Sequence, residues 1–179
     1  MKNRTEATSI LPVVLLLMSS LVLSNCGSSE QPRIDTNWQT VETNGSPVKR
    51  HECAFIEMGG KFYLLGGRGE KPVNVYDPAT NTWSEASKPP IEIHHFQPVV
   101  YENRIWVLGA LTGGYPDETP VPNILIYDPG TDQWSERPEI PANRRRGGCG
   151  VVVYQDKIYM AGGIVDGHKG GFPKLAGRI

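Results

Sequence analysis

The chain has 179 residues and a formal net charge of −1, and 20 of its residues are glycine and 15 proline. Such a balance excludes a global basic field of the kind that gathers nucleic acid or anionic lipid. The glycine and proline content marks a turn-rich protein rather than a helical one.

At the amino terminus, Lys2 and Arg4 precede an apolar stretch from Ile10 to Leu23, interrupted by Pro12 and Ser19-Ser20. It matches the hydrophobic region of a secretory signal and falls short of the ~20 residues of a membrane span. The expectation is a signal peptide over residues 1–25. The stretch closes on Leu23-Ser24-Asn25-Cys26, which resembles the lipobox of bacterial lipoproteins, with Asn25 where that family usually has Gly, Ala or Ser. The resemblance implies lipidation of Cys26 and a stable anchor in the cell envelope through two acyl chains. Gly27, rather than Asp, after the cysteine resembles a pass to the outer membrane if the cell is Gram-negative. A plain signal peptide with an incidental Cys26, and hence a secreted protein, is the alternative. Residues 26–34 then read as a lipidated cysteine followed by a polar tether.

From residue 35 onward the sequence repeats itself. Thr36-Asn37-Trp38 opens the region and matches Asn81-Thr82-Trp83, so residues 36–42 read as a lone outer strand. One pattern then runs from Cys53 to Gly67, from Phe96 to Ala110 and from Cys149 to Gly163, and the copies align without a gap. Each holds an apolar run, a polar turn (Gly59-Gly60-Lys61, Glu102-Asn103-Arg104, Gln155-Asp156-Lys157) and a second apolar run carrying Tyr63, Trp106 or Tyr159. The second run closes on Gly66-Gly67, Gly109-Ala110 or Gly162-Gly163. Tyr76-Asp77-Pro78 with Trp83, and Tyr127-Asp128-Pro129 with Trp134, follow the first two copies. A period near roughly fifty residues is what a four-stranded repeat needs. Second strands such as Phe62-Tyr63-Leu64-Leu65 are apolar on both faces, which calls for sheets covered on both sides and stacked around an axis or along one, the radial arrangement being the propeller.

These residues resemble the Kelch repeat family, through the paired glycines, the aromatic ahead of them and the Tyr-Asp-Pro to Trp spacing. A narrower likeness, in Tyr115-Pro116-Asp117-Glu118-Thr119, Arg144-Arg145-Arg146-Gly147-Gly148 and Gly167-His168, is to secreted galactose-oxidase-like Kelch proteins. The fold implied is an all-β, incomplete propeller over residues 35–179. It would have full blades at 50–87 and 94–138, a partial blade at 146–172, and an orphan outer strand of the kind that in this family completes the last blade. Propellers close with four to eight blades, so the chain reads as part of a longer propeller; closure by self-association is the alternative if the short chain is complete.

In a four-stranded meander the connectors between second and third strands, and between successive blades, share one face. Here they are the long and varied ones, and variable loops on a rigid repeat are where function sits. The candidates on that face are Arg50, His94, His95, Tyr115, Asp117, Glu118, Arg144, Arg145, Arg146 and His168. The arginine triplet suits bidentate capture of a carboxylate or phosphate, and the Tyr115 loop suits sugar hydroxyls. Adjacent histidines on a strand point to opposite faces, which makes His94-His95 a poor chelate, and no cysteine–tyrosine–histidine set matches the copper site of galactose oxidase. No metal, cofactor or nucleic-acid partner is implied. Cys53 and Cys149, two repeats apart, are expected to be buried free thiols.

The resulting expectation is a non-catalytic binding or scaffold module at the bacterial cell envelope, with a carbohydrate or protein ligand. The alternative is an enzyme resembling the Kelch sugar isomerases that open and close sialic acid rings, or galactose oxidase, with its active site in blades beyond this chain.

Overall fold

The computed structural model describes residues 37–169. The signal peptide, Cys26, the tether and residues 170–179 lie outside them. Residues 37–40 belong to a separate unit and hold no regular element.

Two four-stranded antiparallel meanders account for most of the strands. The first has β1 (Cys53–Met58), β2 (Lys61–Gly66), β3 (Val73–Asp77) and β4 (Thr82–Ala86), in that spatial order. The second has β5 (Val99–Tyr101), β6 (Arg104–Val107), β9 (Asn123–Asp128) and β10 (Gln133–Glu139). Between β6 and β9 the loop expected over 111–122 is itself a two-stranded ribbon, β7 (Leu111–Thr112) with β8 (Thr119–Pro120). The third blade is a hairpin of β11 (Gly147–Tyr154) and β12 (Lys157–Ile164).

The repeat read from the sequence is a repeat of hydrogen-bond register. Cys53 faces Gly66 and Met58 faces Lys61, just as Cys149 faces Gly162 and Tyr154 faces Lys157. The polar turns carry positive φ at both central residues (Gly59 and Gly60, Glu102 and Asn103, Gln155 and Asp156), the two-residue geometry that matches strand twist. The Tyr-Asp-Pro…Trp signal also has a duplicated mechanism. Tyr76 pairs across the strands with Trp83 and Tyr127 with Trp134, each pair with ring centroids 5.1 Å apart. The tyrosine hydroxyls donate to Asn81 Oδ1 at 2.8 Å and Asp132 Oδ1 at 2.7 Å. Asn81 and Asp132 both hold left-handed backbone, with φ of 53° and 54°. The aspartates of the triplets close the turn by accepting from the amides of Ala79 and Gly130, both at 2.9 Å.

The core lies between blades. Tyr63, Leu65 and Val73 of the first blade pack against Ile105, Val107, Leu125 and Tyr127 of the second, with Ile93 and Val121 filling in. Val99 and Leu108 pack against Cys149 and Val151 of the third. Cys149 is buried and Cys53 half-buried, and both are free. Burial pushes the Cys149 thiol above its ordinary range.

One element differs from expectation. Residues 37–42 form no strand; the nearest pairing is a single parallel bridge from Asn44 to Thr82, on the outer edge of β4. A strand is defined by a ladder, and a single bridge does not make one.

Blades close on one another at Gly66 and Gly109, the first glycines of the first two copies. A Cβ at Gly66 would lie 2.5 Å from the Ile93 carbonyl and from the Phe96 ring. At Gly109 it would lie 2.8 Å from Cys149 Sγ and 2.9 Å from Met160 Sδ. At Gly162 it would meet nothing within 4 Å. Gly109 and Gly162 share the same backbone, with φ of 69° and 72°. Gly109→Ala and Gly162→Ala therefore carry the same left-handed penalty, of order 1–2 kcal/mol, and only the first adds overpacking, worth about 1–3 kcal/mol. Urea unfolding is expected to place the Gly109→Ala midpoint well below that of Gly162→Ala. Equal midpoints would show that Gly109 is not a point of blade closure.

Candidate functional site

Residues 52, 95 and 148 occupy the same column of the repeat, one per blade, and all hold positive φ: Glu52 at 57°, His95 at 49° and Gly148 at 69°. Their backbones form a chain across the blades. The amide of His95 donates to the Glu52 carbonyl at 3.1 Å, and that of Gly148 to the His95 carbonyl at 2.7 Å. The connectors of one face converge on this line. Arg68 follows β2, the ribbon β7–β8 brings Gly113 and Glu118, and His168 follows β12.

Arg68 is the hub. Its Nε donates to Glu52 Oε2 at 2.5 Å, one terminal nitrogen to Glu118 Oε1 at 2.5 Å, and the other to the Gly113 carbonyl at 2.9 Å. Glu118 has no exposed side-chain surface. It also accepts from His168 Nδ1 at 3.1 Å and from the His168 amide at 3.4 Å. Burial pushes the Glu118 carboxyl up, but hydrogen bonds from Arg68 and His168 overcome this and hold it down, from the ordinary 4.5 to about 2. Glu52 is likewise lowered: burial opposes the charge, and the Arg68 hydrogen bond and nearby His95 outweigh it.

The two adjacent histidines do not diverge. His94 sits in an isolated bridge with Leu111, and at His95 the chain turns into left-handed backbone, so the rings come to the same side. Their Nδ1 atoms are 2.8 Å apart. The expectation of opposite faces assumed continuous strand, and the left-handed residue breaks it. His94 Nε2 lies 3.1 Å from the Gly113 carbonyl, which only accepts, so this nitrogen bears the hydrogen of the neutral ring. His94 Nδ1 is then an acceptor and His95 Nδ1–H donates to it. Burial lowers the His95 pKa despite the opposing pull of Glu52.

The remaining sequence candidates divide. Tyr115 is 73% exposed, its ring 5.5 Å from that of His168, which lies 5.4 Å from His95. Asp117 pairs with Lys169 at 2.8 Å. Arg50 is occupied by the fold, donating to the carbonyls of Val48, Gly66 and Pro72 and to Asn74 Oδ1. Arg146 repeats this in the third blade, donating to the carbonyls of Arg144 and Gly162. Arg145 turns to the Ile140 carbonyl and the Glu139 carboxylate, and Arg144 is exposed. The triplet thus does not converge on an anion, because Arg146 closes its own blade and Arg145 is held at the end of the second. Sequence reasoning missed Glu52 and Arg68. Glu52 could have been found from its column, where a glycine in the third copy signals left-handed backbone.

Because the folded Glu118 carboxyl ionises below its unfolded value, its stabilisation is complete above the ordinary carboxylate range and is lost as pH falls toward 2. The difference corresponds to roughly 3 kcal/mol. Glu118→Gln should lower unfolding stability at neutral pH by about that amount, since it leaves Arg68 with a buried charge half-compensated. It should also flatten the loss of stability between pH 5 and 2. Unchanged stability and an unchanged acid slope would remove Glu118 from this role.

The comparisons with known proteins agree with the repeat. A sequence model of the Kelch motif matches residues 49–90. "Kelch-like protein terF" of Aspergillus terreus is 30% identical over 179 residues, covering 90% of this chain and 38% of that protein. "Kelch-like protein 35" of Mus musculus is 32% identical over 122 residues, covering 65% of this chain and 19% of that protein. The chain thus spans well under half the length of these relatives. Among solved structures, "Structure of YjhT" superposes with a TM-score of 0.56 at 22% identity, covering 64% of this chain and 45% of that one, a likeness of fold. With its repeats matched in register, turn chemistry and blade closure, the chain carries repeats of the Kelch type.

Proposed function

We propose that the chain is a non-catalytic binding module, and that its ligand is a carbohydrate held on the face where the connectors of three blades meet. The observation that carries this reading is the step of rings Tyr115–His168–His95, with neighbouring centroids 5.5 and 5.4 Å apart. Tyr115 offers a flat apolar face to solvent, and the Asp117–Lys169 pair beside it offers both acceptors and donors. A pyranose ring presents the matching chemistry, with C–H groups on one face and hydroxyls around the edge. The module forms part of a larger ring. Open space at Gly162, the exposure of Val152, Tyr154 and Tyr159 on the third hairpin, and the length of the relatives support that placement. Cys26 anchors it in the cell envelope, a reading supported by the Leu23-Ser24-Asn25-Cys26 sequence.

A sugar isomerase is the second reading, favoured by His95, whose pKa burial lowers although Glu52 lies beside it. On a glycan array the chain should bind a defined set of sugars without altering them, and Tyr115→Ala should weaken binding by about tenfold. Tyr154→Ala, at the far end of its hairpin, should leave binding unchanged. Mutarotation of the bound sugar, followed by NMR, would replace the module by the isomerase, and a blank array would end the carbohydrate reading. Separately, growth with a labelled fatty acid should label the protein and not its Cys26→Ser variant; equal labelling would remove the anchor.

A further inference from the structure

We propose that Glu52, His94 and His95 form a binding site for one divalent cation of the zinc class. The geometry points to it directly. His94 Nδ1 and His95 Nδ1 are 2.8 Å apart, and Glu52 Oε2 lies 3.9 Å from the first and 3.5 Å from the second. A triangle with these sides has a circumscribed radius of about 2.0 Å, so one point lies within bonding distance of all three atoms, given zinc bonds of ~2.0–2.2 Å to imidazole nitrogen and carboxylate oxygen. A bond near 2.1 Å would set the ion roughly 0.6 Å out of the plane of the three donors, with the fourth position of a tetrahedral site left to water.

The surroundings suit a cation. The His94 Nε2–H bond to the Gly113 carbonyl turns the Nδ1 lone pair toward the other two donors, as the outer hydrogen bond of a metal-ligating histidine does. Arg68 Nε donates to the same Glu52 Oε2, a carboxylate oxygen with a second lone pair for the ion, and among the described residues Arg68 is the guanidinium bound between Glu52 and Glu118, so the three groups carry a net charge of −1. His94 is buried, whereas Glu52 and His95 each keep 28% of their side-chain surface exposed, which gives the ion a route in. Their backbones are tied by the His95 amide to Glu52 carbonyl bond, so both ligands sit on fixed positions of the repeat. The third residue of that column is Gly148, where a Cβ would meet nothing within 4 Å. On binding, His95 Nδ1 gives its proton to water and the ring takes one from water at Nε2, so the imidazole stays neutral while its lone pair turns to the metal.

The site requires no sugar, so it stands or falls apart from the carbohydrate reading. Protein stripped with EDTA and titrated with cobalt(II) should show visible ligand-field bands that saturate at one equivalent and vanish when zinc(II) is added. Glu52→Gln keeps an acceptor for Arg68 and should weaken cobalt binding by at least ~10-fold; His95→Ala should abolish the bands. His51→Ala, which removes a histidine that is 72% exposed, should leave them unchanged. Zinc should raise the melting temperature of the parent and of His51→Ala, and not that of Glu52→Gln. Absence of bands in the parent protein, or full bands in His95→Ala, would overturn the proposal.

Discussion

The structure depends on a line of backbone hydrogen bonds that passes from blade to blade through three left-handed residues. The His95 amide reaches the Glu52 carbonyl, and the Gly148 amide reaches the His95 carbonyl. A left-handed conformation costs an ordinary L-residue about 1–2 kcal/mol, and here two of the three are glutamate and histidine. Such backbone persists only when the surroundings over-determine it. What over-determines it is the meeting of blades. The glycines at 66 and 109 let adjacent sheets approach to a distance that no side chain would allow, and the apolar faces of Tyr63, Leu65, Ile105 and Leu125 fill the wedge that results. The same line sets three side chains, or two and an open space, at one end of the axis.

Most of the scaffold was legible in the sequence because it is written several times. Each turn, each Tyr–Trp pair and each glycine pair has a copy that shares its spacing, and a physical role that explains one copy explains the others. Tyr76 to Asn81 and Tyr127 to Asp132 are the same hydrogen bond made twice. Over the described residues 37–42 the expected outer strand does not form: pairing is a property of two segments, and a match to one strand of the repeat supplies only one of them. The face was legible from topology. Its chemistry was not, because the residues that matter there depart from the repeat. Arg50 and Arg146 looked like ligand contacts while serving their own blades, and Arg68 looked like an ordinary loop residue while holding three segments together.

The charge network on that face is better described as a positioning device than as a source of net stability. Burying an ion pair costs desolvation that its attraction only partly returns, and removing one partner is the expensive step. Arg68 and Glu118 come from different blades, and each is fully satisfied only with the other in place. The pair therefore makes the placement of the ribbon β7–β8 over the first blade all-or-none. His94 is oriented by that ribbon through Gly113, and His168 by Glu118. Side chains far apart in sequence thus acquire fixed relative positions without any lying on a continuous strand.

The second blade concentrates these departures. Where the first and third blades carry Arg50 and Arg146, it has Ile93, fully buried in the core. Where the others pass from their glycine pair into a connector, it returns over the face, with Leu111 bridging His94 and the Val121 amide reaching the Ala110 carbonyl. The two changes belong together. An apolar residue at 93 lets the ribbon pack onto the blade's inner end, and the packed ribbon buries His94 and delivers Gly113, Tyr115 and Glu118 to the face. A regular scaffold thus gains an individual site by lengthening one connector of one blade, with the neighbouring blades supplying Arg68 and His168 as anchors. The individual geometry of this face accordingly resides in residues 111–120 more than in the repeats that carry them.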